Sequence, residues 1–178
     1  MLMFLLSVLY FMLPAYFANM APVFVRKIKF LDSSIDFNKK YKGKPILGKH
    51  KTWRGLFFGV LFGIVVAYIQ YLLYGYSSFS NISFVDYNNW FIIGFLLSFG
   101  ALVGDSVKSF FKRRVGVKPG KPFIPWDQID YAIGAIFFIY FVYALTVAQM
   151  IAILLISFFG HILINHLGYY LGIREVKW

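Results

Sequence analysis

Three aspartates at the ends of two apolar segments have the side chains needed to bind a cation. Asp105 follows one apolar segment, and Asp127 and Asp130 open the next. Asp105, Lys108 and Lys112 recur at i, i+3 and i+7, so they share one face if the helix continues past Asp105. A carboxylate at membrane depth is costly and is usually kept for function. We therefore predict that Asp105, Asp127, Asp130 and Lys108 form a catalytic site for chemistry on a phosphate.

The predicted site offers only oxygen ligands, because the chain contains no cysteine. Mg²⁺ prefers such ligands and usually takes one or two carboxylates, with phosphate and water in its other positions. Asp105, Asp127 and Asp130 are therefore predicted to form an environment suited to Mg²⁺, which is compatible with a two-metal site completed by substrate phosphates. Capping of a helix start would account for Asp127 or Asp130 taken singly. Zinc is not expected, because the three histidines lack metal-type spacing.

A basic segment, GKHKTWRG at 48–55, directly precedes another apolar segment. Backbone N–H groups at a helix start attract anions, and lysine and arginine side chains strengthen such a site. We predict that Lys51, Thr52 and Arg54 bind phosphate groups here.

The elements that must hold these residues are membrane helices, since the 178-residue chain is 60% hydrophobic with a mean hydropathy of +0.70. About 20 apolar residues cross a bilayer core. The first segment has no basic residues before it, so we expect a retained helix rather than a cleaved signal. We predict one all-α transmembrane domain over residues 1–178, with spans at about 1–17, 56–74, 90–107, 129–147 and 150–167.

The charges indicate how these five spans are oriented. All 18 lysines and arginines lie in 26–54, 105–130 or the C-terminal tail, and none lies in the connections 75–89 and 148–149. The positive-inside rule then predicts an outside N-terminus and a cytoplasmic C-terminus. It also predicts cytoplasmic loops at 26–54 and 108–128, with the polar site in a cavity open to the cytoplasm of a multi-pass cell-membrane protein. Nucleic-acid binding is not expected, because the basic residues follow this topology and the aromatics lie in the spans.

Several motifs resemble a known family. GDSVKS at 104–109, KR at 112–113 and PWDQID at 125–130 resemble the signature of membrane CTP-dependent phosphatidate cytidylyltransferases. The short chain, ANMAP at 18–22 and the 48–55 segment are more similar to the archaeal branch, the CDP-archaeol synthases.

Two departures from the bacterial signature favour this branch. Lys108 stands where that signature has Glu, and Pro125-Trp126 replaces its HGG run. Bacterial nucleotide contacts are therefore not carried over to this chain.

The resemblance implies transfer of CMP from CTP to 2,3-di-O-geranylgeranylglyceryl phosphate, which gives CDP-archaeol and pyrophosphate in phospholipid biosynthesis. Its implied partners are CTP, the lipid phosphate and the bilayer, and a homodimer is compatible with it. Two alternatives stay open, a CDP-diacylglycerol synthase acting on phosphatidate and a small cation transporter. By the resemblance, Asp105 and Asp127 match aspartates that bind the metal, and Asp130 matches the last acid of the signature. With the residues that the resemblance adds, the phosphate-binding set becomes Asn19, Lys49, Lys51, Thr52, Arg54, Lys112 and Arg113.

Overall fold

The structure is a computed structural model that describes residues 1–118 and 121–172. Its main helices are α1 (Leu2–Phe24), α2 (Trp53–Tyr74), α4 (Trp90–Arg114), α5 (Trp126–Ile139) and α6 (Val147–Tyr170). The short helix α3 (Ser77–Ser80) and a 3₁₀ turn (Tyr87–Asn89) join α2 to α4, and the strands β1 (Lys40–Tyr41) and β2 (Lys44–Pro45) form a hairpin.

Within the described residues, four helices are long and apolar enough to cross a bilayer: α1, α2, α4 with its preceding 3₁₀ turn, and α6. This makes the chain a multi-pass membrane protein, as the sequence predicted. The helix α1 reaches Phe24 instead of ending at 17, because Pro14 and Pro22 are both accommodated within it.

Helix α5 differs most from its predicted span at 129–147. It begins at Trp126 and ends at Ile139, so its 14 residues extend only about 21 Å. The following turn carries Tyr143, whose hydroxyl donates to the Asp86 carbonyl at 3.3 Å. The end of α5 therefore lies against the turn that precedes α4, at the opposite end of α4 from its basic residues.

Glycines let α2 approach its neighbours closely. An added Cβ at Gly59 would press on the Ala18 carbonyl of α1 and on Leu102 of α4. One at Gly63 would clash with Ser98 of α4.

The contact between α4 and α5 is closer still. A Cβ at Gly104 would clash with the Asp130 carbonyl, and one at Gly134 would clash with the Gly100 carbonyl. The two backbones therefore touch beside Asp105, which brings the acidic ends of both helices together.

The basic loop before α2 is ordered around Asp36. Its carboxylate accepts hydrogen bonds from Ser34 Oγ at 2.5 Å and from the backbone N–H groups of Asn38, Leu47 and Gly48 at 3.0, 2.8 and 3.1 Å. Burial raises the pKa of this carboxyl, but these four hydrogen bonds outweigh burial and lower its pKa to about 2.

The hairpin in this loop packs on the C-terminal end of α4. Its turn residues Lys42 and Gly43 have φ values of 50° and 75°, as a type I′ turn requires. Arg114 donates to the carbonyl groups of Tyr41, Lys44 and Pro45, and Lys44 Nζ donates to the Arg114 carbonyl at 2.9 Å. These contacts hold the loop over the basic C-terminal end of α4.

Candidate active site

Lys108 stands at the centre of a cluster built by α4 and α5. Its Nζ lies 3.2 Å from Asp105 Oδ1, 2.7 Å from Asp127 Oδ1 and 3.0 Å from Asp130 Oδ2. The Asp130 side chain is 5% exposed and the Lys108 side chain 15% exposed. Three carboxylates from two helices therefore converge on one cation in a largely buried place.

Two further lysines complete this cluster. Lys112, one turn after Lys108 on α4, donates to the two oxygens of Asp127 at 3.0 and 2.7 Å. Lys51, from the basic loop, forms an ion pair with Asp105. The Phe123 N–H also donates to Asp127 Oδ2 at 2.6 Å, which fixes this carboxylate at the start of α5.

A polar cavity of about 220 Å³ opens beside the cluster. Helix α1 contributes Asn19 to its wall. The lining residues are Asn19, Asp105, Lys108, Lys112, Lys121, Pro122, Asp127, Gln128, Asp130, His161 and Asn165.

Four polar lining residues were absent from the predicted set: Lys121, Gln128, His161 and Asn165. His161 and Asn165 had a signal, because polar groups one helical turn apart in an apolar span are unusual. Gln128 lies between Asp127 and Asp130, and no pattern in the sequence distinguished it as a cavity residue.

Some predicted phosphate contacts lie outside this cavity wall. Arg54 pairs with Asp32 at 2.8 Å and donates to the Ile28 carbonyl, so it braces the loop. Thr52 caps α2 by accepting from the Gly55 N–H at 3.2 Å. The structure thus gives both residues structural contacts.

Three other predicted contacts also lie outside this wall: Lys49, Lys51 and Arg113. Lys49 is exposed on the loop. Arg113 donates to the Val117 carbonyl at 2.9 Å.

An apolar groove of about 680 Å³ runs between α4 and α5. Lys108 and Asp130 line both this groove and the polar cavity, so the two spaces meet at the charged cluster. The remaining lining is glycine or apolar: Val103, Gly104, Val107, Phe111, Val115, Phe123, Trp126, Ile133, Gly134, Phe137 and Phe138.

The carboxylate oxygens of the cluster are the kind of ligand that Mg²⁺ prefers. Over residues 1–118 and 121–172, no group of three or more Asp, Glu, His or Cys side chains has the arrangement of a complete metal site. Mg²⁺ does not need one, since it takes one or two carboxylates when phosphates supply other ligands. Asp105 and Asp127 already share one cation, the Lys108 ammonium, so their oxygens fit such an ion.

A charged cavity that meets an apolar groove among membrane helices defines an intramembrane enzyme for a substrate with a charged head and an apolar tail. The comparisons with known proteins give the family. The family described as "CarS-like: CDP-archaeol synthase" matches residues 1–178, and the chain belongs to it.

Individual relatives agree over nearly the whole chain. The CDP-archaeol synthase of Thermococcus onnurineus is 40% identical over 177 residues, covering 98% of this chain and 97% of that protein. The CDP-archaeol synthase of Methanocaldococcus jannaschii is 37% identical over 176 residues, with the same coverage. A solved structure of an intramembrane enzyme for archaeal membrane lipids biosynthesis superposes with a TM-score of 0.73 at 27% identity, covering 88% of this chain and 90% of that one.

Proposed function

We propose that this protein is a CTP-dependent lipid-phosphate cytidylyltransferase. It transfers CMP from CTP to 2,3-di-O-geranylgeranylglyceryl phosphate and releases CDP-archaeol and pyrophosphate. Membership in the CDP-archaeol synthase family supports this reaction. The observation that carries it is the junction at Lys108 and Asp130, where a charged cavity meets an apolar groove suited to a lipid chain.

The lipid phosphate is the nucleophile in this reaction. Its second pKa is about 6, so it is ionised at neutral pH and needs no activating base. One of its oxygens forms a bond to the α-phosphorus of CTP, while the bond from that phosphorus to the bridging oxygen breaks and pyrophosphate leaves. The site therefore has to bring two anions together in line.

The lysines of the cluster suit this task. Lys51, Lys108 and Lys112 each reach a carboxylate, and the loop or α4 fixes their place. When phosphates enter, these ammoniums neutralise the triphosphate and the charge that develops on pyrophosphate. Lys121, also on the cavity wall, adds a further positive charge.

Within the cluster, three lysines are balanced by three aspartates, so it has little positive charge left for two polyanions. Asp105 and Asp127 would hold Mg²⁺, which supplies that charge and aligns the phosphates.

We further propose five crossings, with α5 as the short fourth one. Two observations support this topology. The α5–α6 turn contacts Asp86, at the opposite end of α4 from its basic residues. The loop that carries Lys44 and Lys51 packs at the basic end of α4. The positive-inside rule then assigns the cavity mouth to the cytoplasm and the N-terminus to the outside.

A labelled-nucleotide assay tests the reaction. Purified protein is incubated with CTP labelled at the α-phosphate, Mg²⁺ and the isoprenoid glyceryl phosphate, and the lipid fraction is examined for a labelled CDP-lipid. Phosphatidate is run in parallel as the alternative acceptor. A labelled product with the ether lipid supports the proposal. Label that stays in CTP with both acceptors, in protein that unfolds cooperatively, contradicts it.

A further inference from the structure

Part of the wall of the polar cavity is built from amide and imidazole side chains instead of carboxylates and ammoniums. It includes Asn19 of α1, Gln128 of α5, and His161 and Asn165 of α6. Tyr131 stiffens this wall, because its hydroxyl donates to a carbonyl of α6 at 3.3 Å. Groups without a positive charge stabilise a triphosphate only weakly. This wall is therefore suited to a different part of a substrate.

Two acceptor atoms of this wall lack a protein hydrogen-bond partner within the part of the chain that the structure describes. They are Gln128 Oε1 and Asn165 Oδ1, on side chains that are 2% and 3% exposed. Asn165 uses its amide nitrogen to donate to His161 Nδ1 at 3.2 Å, which leaves its oxygen as an acceptor. Buried carbonyl oxygens that line a cavity select a ligand that brings N–H or O–H donors.

The substrates of the proposed reaction differ in what they can donate. In the lipid, two glycerol oxygens are ethers and the third carries the ionised phosphate, so it has neither N–H nor O–H groups. In CTP, donors occur only on the ribose hydroxyls and on the 4-amino group of cytosine. The neutral wall therefore faces the nucleoside.

We infer that Gln128 and Asn165 recognise the 4-amino group of cytosine and determine the preference for CTP over UTP. An exocyclic amino group has two hydrogens, and the wall offers two acceptors on two different helices. Uracil carries a carbonyl oxygen at that position, which has no hydrogen to donate and would be repelled by the two acceptors. This assignment rests on the proposed function and adds the basis of its nucleotide choice.

The test compares kcat/KM for CTP and UTP in three variants. Gln128→Leu and Asn165→Leu should each lower the value for CTP by about 10- to 100-fold and leave the value for UTP unchanged or higher. Gln70→Leu is the matched control: Gln70 is also 2% exposed with an unpartnered Oε1, but it lies on α2, outside the cavity wall. It should leave the CTP to UTP ratio as in the wild type.

A second measurement needs no variant. The wild-type protein is assayed with the triphosphate of the 4-deamino pyrimidinone riboside, which should lose a similar factor relative to CTP. An equal fall for CTP and UTP in the variants, or an unchanged ratio, overturns the inference. So does a lost preference for CTP over 2′-deoxy-CTP with the CTP to UTP ratio intact, because the acceptors would then read the ribose.

Failure of the proposed function gives a different result. If the wild type forms no CDP-lipid, the nucleotide preference is measured without lipid, as the thermal stabilisation by CTP and by UTP. A stabilisation by CTP that exceeds that by UTP, and that both cavity variants reduce, supports the inference on its own. Equal stabilisation by the two nucleotides overturns it.

Discussion

Replacing Lys108 with methionine should separate two functions of this lysine. Its ammonium neutralises three carboxylates, at 3.2, 2.7 and 3.0 Å, and the side chain is 15% exposed. Removing one partner of a buried ion pair costs about 3–5 kcal/mol. The variant should therefore unfold at a lower temperature in the absence of Mg²⁺, and its turnover should fall at least about 100-fold, since a positive charge at the phosphates is lost.

The affinity for Mg²⁺ should change in the opposite direction. In the wild type, an arriving ion competes with the Lys108 ammonium for Asp105 and Asp127. One unit charge at about 4 Å is worth about 1 kcal/mol even in water and more near a protein, so Lys108→Met should bind Mg²⁺ at least about tenfold more tightly. Titration of Mg²⁺ against the unfolding temperature measures this affinity separately from turnover.

The matched series for this test is Lys108→Met, Lys112→Met and Lys27→Met. Lys112 contacts only Asp127 among the three acids, and Lys27 is exposed. The gain in Mg²⁺ affinity should decrease in that order and vanish for Lys27. Unchanged Mg²⁺ affinity in Lys108→Met would refute the assignment of the metal to these carboxylates, and full turnover would remove Lys108 from the site.

Further perturbations examine the carboxylates, the helix contact and the loop. Asp105→Asn and Asp127→Asn should each abolish CDP-lipid formation while the protein still inserts and unfolds cooperatively, and full activity at saturating Mg²⁺ in either variant would contradict the metal assignment. Gly104→Ala should cost about 1–3 kcal/mol and lower turnover, because its Cβ would clash with the α5 backbone, whereas Gly160→Ala, with open space around it, should change the unfolding temperature little. The Asp36 pKa of about 2 lies below the ordinary 3.8, so protection of the loop from proteolysis should be complete above about pH 4 and fall towards pH 2. Asp36→Asn should remove that pH dependence, and a loop equally protected at pH 2 and pH 5 would contradict it.

Topology is tested with single cysteines, since the chain has none of its own. In cells, Lys42→Cys on the hairpin should be protected from a membrane-impermeant maleimide, and Tyr76→Cys, between α2 and α3, should react. Both positions are exposed in the fold, so burial would not account for a difference. The reverse pattern would invert the proposed orientation.

The sequence was sufficient for the parts of the fold that depend on hydropathy and helical spacing. Apolar length predicted the long helices, and the i, i+3 spacing of Asp127 and Asp130 put both on the face towards Lys108. Helix ends were less accurate. Pro14 suggested an end of α1, but surrounding packing stabilises a helix through it.

The residues of the cavity wall could not all be predicted, because tertiary packing brings them together and local sequence patterns do not specify that packing. A basic residue before a helix predicts an anion site equally well whether it pairs with the acidic cluster, as Lys51 does with Asp105, or braces a loop, as Arg54 does. Gln128 and Asn165 become neighbours of the same cavity only when α5 and α6 pack together. The spacing of residues within one helix does not specify how that helix packs against another.

Asp130 links the assembly of the helices to the chemistry of the head group. Its backbone carbonyl forms the surface on which Gly104 lies, and its carboxylate binds Lys108 at 3.0 Å. A change that pushes the two backbones apart also moves an acid of the charged cluster. A substitution at this crossing is therefore expected to change the free energy of unfolding and the geometry of the cluster together.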